Sequence, residues 1–129
     1  MDQVRLAPLV GILGCLGVFG ALLYPYLVGE GGVGAYYGSG IVNPLVAGLL
    51  ALVTVIALAA GREGRTDPGF AAGAGLVFGL FVVAILFAWG ATVRVDAVAV
   101  SQWHRWVAAG VGLLIPVGSL WFAWTLELL

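Results

Sequence analysis

Four stretches of the chain carry no charged side chain: residues 6–29, 31–61, 68–93 and 106–126. Each is at least 21 residues long. An α-helix rises about 1.5 Å per residue, so about 20 apolar residues cross the roughly 30 Å hydrocarbon core of a bilayer. The stretches are continuously apolar, without the period-two alternation of a membrane β-barrel. They predict an all-α membrane protein, a four-helix transmembrane bundle of up-down topology, with helices at about 6–28, 43–60, 68–91 and 102–126. The first stretch is too long, and its basic flank too weak, for a secretory signal peptide.

Helix punctuation agrees with these limits. Pro8 is expected in the first turn of the first span, where no N–H partner is lost. Asn43-Pro44 and Asp67-Pro68 each read as an N-cap followed by a first-turn proline, and Ser101 as the N-cap of the fourth span. The second span ends at Ala60-Gly61. Gly61 to Asp67 is a tight turn, so the second and third spans form an antiparallel hairpin. The first loop, Gly29 to Gly40, holds six glycines, Glu30 and the pair Tyr36-Tyr37. The third, Thr92 to Val100, is β-branched and roughly alternating, which suits a short extended segment. Nothing is long enough to link a second domain, so residues 1–129 read as one.

Composition narrows the class. Of 129 residues, 63% are hydrophobic, 21 are glycine and only 9% are charged, against about 25% charged in soluble domains. A chain this small cannot bury so much apolar surface in water. A soluble domain, a disordered tail and a nucleic-acid binder are excluded. All five basic residues are Arg. Arg5, Arg62 and Arg65 fall on one side of the bundle and Arg94 and Arg105 on the other. That bias, with no Arg in the first loop, favours a multi-pass protein of the cell membrane with both termini cytoplasmic.

The candidate chemistry is sparse. No Asp, Glu, Lys, Arg or His falls in the middle of a span, where such a residue would mark a proton relay or ion path. Cys15 and His104 are the only residues of their kinds, so no disulfide, no metal site, no haem and no other cofactor is expected. No catalytic residues stand out, and the protein is not expected to be an enzyme. Thr54, Ser119 and Thr125 are read as hydroxyls bonded back to their own helices.

Two features are positive. Glycine recurs at spacings of three and four: Gly14 and Gly17 in the first span, Gly75 and Gly79 in the third, Gly112 in the fourth. Such spacing lets membrane helices approach closely, within this bundle or against another subunit. The second feature is Trp103-His104-Arg105-Trp106, with Tyr36 and Tyr37, expected with Tyr24, Tyr26 and Trp89 in an aromatic belt at the outer interface. A headgroup, quinone or partner site there is the sharper reading. His104 and Arg105 are expected in reach of water, with Asp96, Glu30 or lipid phosphate beside Arg105. Pro25 and Pro116 are expected to bend their helices, Pro116 freeing a carbonyl near Gly112.

The Tyr36-Tyr37-Gly38-Ser39-Gly40 loop, the Gly61 to Pro68 turn and the His104-Arg105-Trp106 helix start resemble small four-helix membrane proteins of halophilic archaea. That family is of uncharacterised function, and the resemblance implies no activity. Gly38 to Asn43 is also similar to the Gly-Thr-x-x-x-Asn segment of small four-helix fluoride channels. The third span, however, reads Gly75-Leu76-Val77-Phe78-Gly79 where those channels carry a hydroxyl cluster. The expected role is a scaffold or accessory subunit of a membrane assembly, with lipid and either a second copy or a partner membrane subunit as its surroundings. The alternative is a small channel or carrier for a neutral solute.

Overall fold

A computed structural model describes residues 3–28, 33–93 and 103–128. Helix α1 is Gln3–Val28, α2 Val33–Gly38, α3 Leu45–Arg62, α4 Pro68–Thr92, α5 His104–Gly112 and α6 Leu114–Thr125. Four spans are long and apolar enough to cross a membrane: α1, α3, α4 and the α5–α6 pair, which runs from His104 to Thr125. They form an all-α four-helix bundle. Packing joins α1 to α3, α3 to α4, α4 to α5–α6 and α5–α6 back to α1. Among the described residues there is no strand.

The helix starts follow their capping residues. The Asn43 side chain accepts from the Leu45 N–H at 2.9 Å, and its carbonyl from Val46 at 3.1 Å, so α3 begins just past Asn43-Pro44. Pro68 opens α4 in its first turn, while the Asp67 side chain makes no capping bond. Gly64, at φ +74°, turns the chain between α3 and α4. At this end Arg62 donates to the Arg5 carbonyl at 2.9 Å, and Glu63 pairs with Arg62 at 3.1 Å and Arg5 at 3.5 Å. These ion pairs are exposed and contribute about 0–1 kcal/mol each.

Three expectations need correction. Pro8 lies inside α1, because the helix begins at Gln3. The first loop contains a helix, α2, which its glycine content did not suggest. The fourth span, expected as one helix bent at Pro116, is divided at Leu113, next to the Gly112 carbonyl that Pro116, as expected, leaves without an N–H; Leu113 bonds both Ala109 and Gly110, at 3.3 and 3.2 Å. Ser101 and the proposed extended segment at 92–100 lie outside the described residues, except for Thr92, which ends α4, and Val93.

Exposed large apolar side chains ring the bundle, among them Leu27, Leu49, Ile56 and Phe70, each more than 60% exposed. With four spans of this length, the chain is a multi-pass membrane protein and its apolar surface suits a lipid environment. The interior is filled instead with small residues and a few large ones. A methyl group at Gly118 would lie 2.9 Å from the Gly11 Cα and 3.1 Å from the Ala7 carbonyl. One at Gly79 would lie 2.8 Å from the Pro116 nitrogen, and one at Gly14 2.8 Å from Leu114 Cβ. Methyls at Gly17 and Gly75 would run into Val111 and Ser119, and one at Gly112 would lie 3.1 Å from Leu86. Gly73 is different, with open space at its Cβ position.

Two of the three deep hydroxyls bond their own helix: Thr54 to the Leu50 carbonyl and Thr125 to that of Phe122, both at 2.7 Å. Ser119 does not. Its buried oxygen has no hydrogen-bond partner among the described residues and packs against Gly75.

Gly118→Ala should lower the melting temperature of the detergent-purified protein, with a cost of about 1–3 kcal/mol from overpacking. The Gly11 backbone it meets cannot turn aside as a side chain can. Gly73→Ala should leave the melting temperature unchanged or raise it, since helix propensity favours alanine by about 1 kcal/mol.

Candidate functional site

A cluster of buried aromatic and histidine side chains lies at the end of the bundle that holds α2. Pro25 in α1 cannot donate to the carbonyl four residues earlier, which is Ala21. In a helix surrounded by hydrocarbon such a carbonyl needs another donor, because no water reaches it. The donor comes from α5: His104 Nε2 lies within hydrogen-bond distance of the Ala21 carbonyl. The next carbonyl, Leu22, accepts from the Tyr37 hydroxyl of α2. Side chains from two separate elements therefore close on the stretch of α1 that the proline leaves open.

These partners fix the protonation pattern of the histidine. A carbonyl only accepts, so Nε2 carries the proton and Nδ1 of the neutral ring is an acceptor. Tyr36 lies 2.9 Å from Nδ1 and donates its hydroxyl proton there. Trp89 of α4 completes the cluster: its Nε1 donates to the Tyr36 carbonyl at 3.4 Å. Its ring meets Tyr36 and Tyr37 edge-on, with centroids 5.1 and 5.5 Å apart, the arrangement that aromatic quadrupoles favour. α2 is further held by the Ile41 N–H, which donates to Thr92 Oγ1 at 2.9 Å. A methyl at Gly40 would lie 2.9 Å from that same oxygen.

The aromatic residues thus divide into two groups. Tyr24, Tyr26, Trp103 and Trp106 are exposed and suit a lipid interface. Tyr36, Tyr37 and Trp89 are fully buried, and His104 is 7% exposed, so the expectation that these four belong to a water-accessible belt is corrected. The reason is the proline gap: they are drawn inward to bond the backbone of α1 and one another. Because His104 accepts at Nδ1, it is not a second cation at the start of α5. Arg105 stacks over Trp106, with Cζ 5.1 Å from the ring centroid. Among the described residues its buried Nε has no hydrogen-bond partner. The acidic partners expected for it, Asp96 and Glu30, lie outside the described residues.

Burial also changes the acidity of the tyrosines. The Tyr36 hydroxyl is pushed up to about 12, mainly because its anion would be desolvated, with the Arg105 charge opposing. Tyr37 is pushed up as well, by burial first and then by its neighbours Tyr26 and Tyr36. Among the described residues no cluster of His, Cys, Asp and Glu has the arrangement of a metal site. Cys15 is buried in the core and packs there.

Beside this cluster a groove of about 400 Å³ runs between α1 and α5. Ala21, Tyr24, Trp103 and His104 line the end next to α2, and Gly17, Val107 and Val111 the end toward the middle of the bundle. A second groove, of about 570 Å³ between α1 and α3, is lined by apolar residues such as Phe19, Leu23, Leu45 and Leu52. Sequence reasoning singled out Tyr36, Tyr37 and His104, which the structure brings together. It missed Trp89 as a member of the buried cluster and Ala21 as its anchor. The signal for Ala21 was available: it lies four residues before Pro25.

The proline gap generates a double-mutant prediction. His104→Phe leaves the Ala21 carbonyl without a donor and should cost about 1–3 kcal/mol of stability. Pro25→Ala restores the N–H that would bond this carbonyl within the helix. In a Pro25→Ala background the same histidine change should cost less, with a coupling of roughly 0.5–3 kcal/mol measured by thermal or denaturant unfolding. Additive losses would show that the histidine does not serve that carbonyl.

The tyrosines generate a second. An unfolded tyrosine titrates at about 10, and burial pushes Tyr36 in the folded chain up to about 12. The neutral form is therefore favoured by folding. The stability linked to it is complete below about 10 and lost as pH rises through the folded value. The melting temperature should fall across this window, and Tyr36→Phe should flatten the fall.

No curated protein and no solved structure matches the chain. A family described as a family of unknown function (DUF7548) matches residues 1–127. With a match over nearly its whole length, the chain belongs to that family.

Proposed function

We propose that the protein is a non-catalytic scaffold or accessory subunit of a membrane assembly. The observation that carries this reading is that the buried polar groups at the α2 end bond the chain's own backbone and one another: His104 to Ala21, Tyr37 to Leu22, Tyr36 to His104 and Trp89 to Tyr36. Catalysis needs groups left available to a substrate, and these are engaged in holding α1, α2, α4 and α5 together. The core between the helices is filled by Val18, Leu58, Leu86, Ile115 and Phe122, all essentially inaccessible, which favours a support over a conduit through one chain. The Arg distribution and the resemblance to membrane proteins of halophilic archaea support a cell-membrane location with both termini cytoplasmic.

The test is purification of the tagged chain from its native membrane in mild detergent, followed by mass determination and reconstitution into liposomes. A stable complex of fixed stoichiometry, with another membrane subunit or with itself, is expected, and glycerol permeability no higher than in empty liposomes. Glycerol flux that scales with the amount of protein would overturn the reading in favour of a carrier for neutral solutes. In the same cells, an impermeant thiol reagent should reach Arg65→Cys only after permeabilisation and Gly34→Cys without it. The reverse pattern would invert the orientation.

A further inference from the structure

We propose that the groove between α1 and α5 binds a single-chain amphiphile with a neutral, hydroxyl-bearing head. The proposal does not rest on the scaffold reading. Its volume of about 400 Å³ lies toward the lower end of the roughly 300–1,000 Å³ typical of small-ligand pockets. That suits one chain better than a two-chain lipid.

Polarity along the groove matches such a molecule in direction as well as kind. α1 runs toward the α2 end and α5 away from it, so the lining residues can be ordered by depth. Ala21, Tyr24, Trp103 and His104 are at the α2 end; Gly17, Val107 and Val111 are deeper. The polar groups thus lie where a spanning helix emerges and the apolar ones toward mid-membrane. Trp103 and Tyr24 are exposed at the rim, as aromatic side chains at the membrane interface are. The Tyr24 and His104 rings stack, with centroids 6.0 Å apart and planes 22° apart, and give this end a flat wall.

Charge complementarity selects the head. Among the described residues no Asp, Glu, Lys or Arg lines the groove, and its histidine already has a partner on each ring nitrogen. A phosphate or ammonium group would be desolvated there without compensation. A hydroxyl would not. The Ala21 carbonyl has two lone pairs, and His104 uses one of them, so the same proline gap that anchors the histidine leaves an acceptor for a donor entering the groove.

Gly20 supplies the floor. Gly11, Gly14 and Gly17 of the same helix each meet a neighbour that a methyl would strike, whereas a methyl at Gly20 would meet nothing within 4 Å among the described residues. Close helix packing thus accounts for the first three. At the fourth, the absent side chain lets a ligand chain lie against the α1 backbone.

The experiment uses the full chain in nanodiscs of dioleoylphosphatidylcholine, which holds no single-chain neutral amphiphile, and a monoacylglycerol probe with a photoactivatable diazirine in its oleoyl chain. After irradiation, adducts should concentrate in peptides covering Gly17 to Tyr24 and Trp103 to Val111. Gly20→Leu fills the groove from open space. It should keep or raise the melting temperature while reducing these adducts by about tenfold. Gly20→Ala should give an intermediate loss. Gly73→Leu, which also projects from open space but on α4, should label like the unmodified chain. Unlabelled monooleoylglycerol should compete and dioleoylphosphatidylglycerol should not. Adducts spread evenly over the four spans, undiminished labelling of Gly20→Leu, or equal competition by the anionic two-chain lipid would each overturn the proposal.

Discussion

Hydrocarbon does not solvate a peptide carbonyl, and a proline inside a membrane helix leaves one without its donor. In this chain the carbonyl is Ala21, and much of the architecture at the α2 end follows from it. His104 must reach α1, so α5 has to begin where Ala21 sits. Tyr36 must satisfy the second nitrogen of that ring, so α2 has to turn inward. Tyr37, next in sequence, bonds Leu22. Trp89 then fills the space between the two tyrosines and the histidine. A segment with six glycines in twelve residues would otherwise have little reason to fold.

Away from that end the bundle rests on approach distance. Helices in lipid gain no hydrophobic free energy from meeting one another, so packing quality decides whether they associate. Glycine is the means at nearly every crossing. Gly118 lies against the Gly11 backbone, and Gly79 against Pro116. The second of these is a pairing of complementary defects. Proline has no N–H to protect and thickens its helix with a ring, while glycine removes the side chain that would collide with it. The break at Leu113 is thus accommodated within the bundle, and the α5–α6 pair still serves as one span.

These two constraints separate the protein's chemistry from its surface. Polar side chains that could act on a ligand are mostly engaged with backbone, and the outer face is apolar enough to merge with lipid. Where the two meet, at the groove between α1 and α5, an incompletely saturated carbonyl and an uncovered glycine lie side by side. Ser119 is the exception in the core: its hydroxyl is buried against Gly75 without a partner among the described residues, and the structure gives no physical reason for it.

The sequence by itself determined the class, the number of spans, their limits to within a few residues and their alternation. All of these follow from the hydrocarbon thickness and from the positions of eleven charges, which are local quantities. It also marked Tyr36, Tyr37, His104 and the glycines as the residues to watch. It could not assign the tyrosines and the histidine to the interior, because an aromatic residue near a membrane interface has the same sequence signature whether it faces lipid or bonds a neighbouring helix. Trp89 illustrates this: at the end of an apolar stretch it reads as an interface residue, yet it is wholly buried. Only the tertiary structure decided the matter, by folding α2 back and bringing α5 across from a distant part of the chain onto the stretch of α1 where Pro25 leaves the Ala21 carbonyl without a donor.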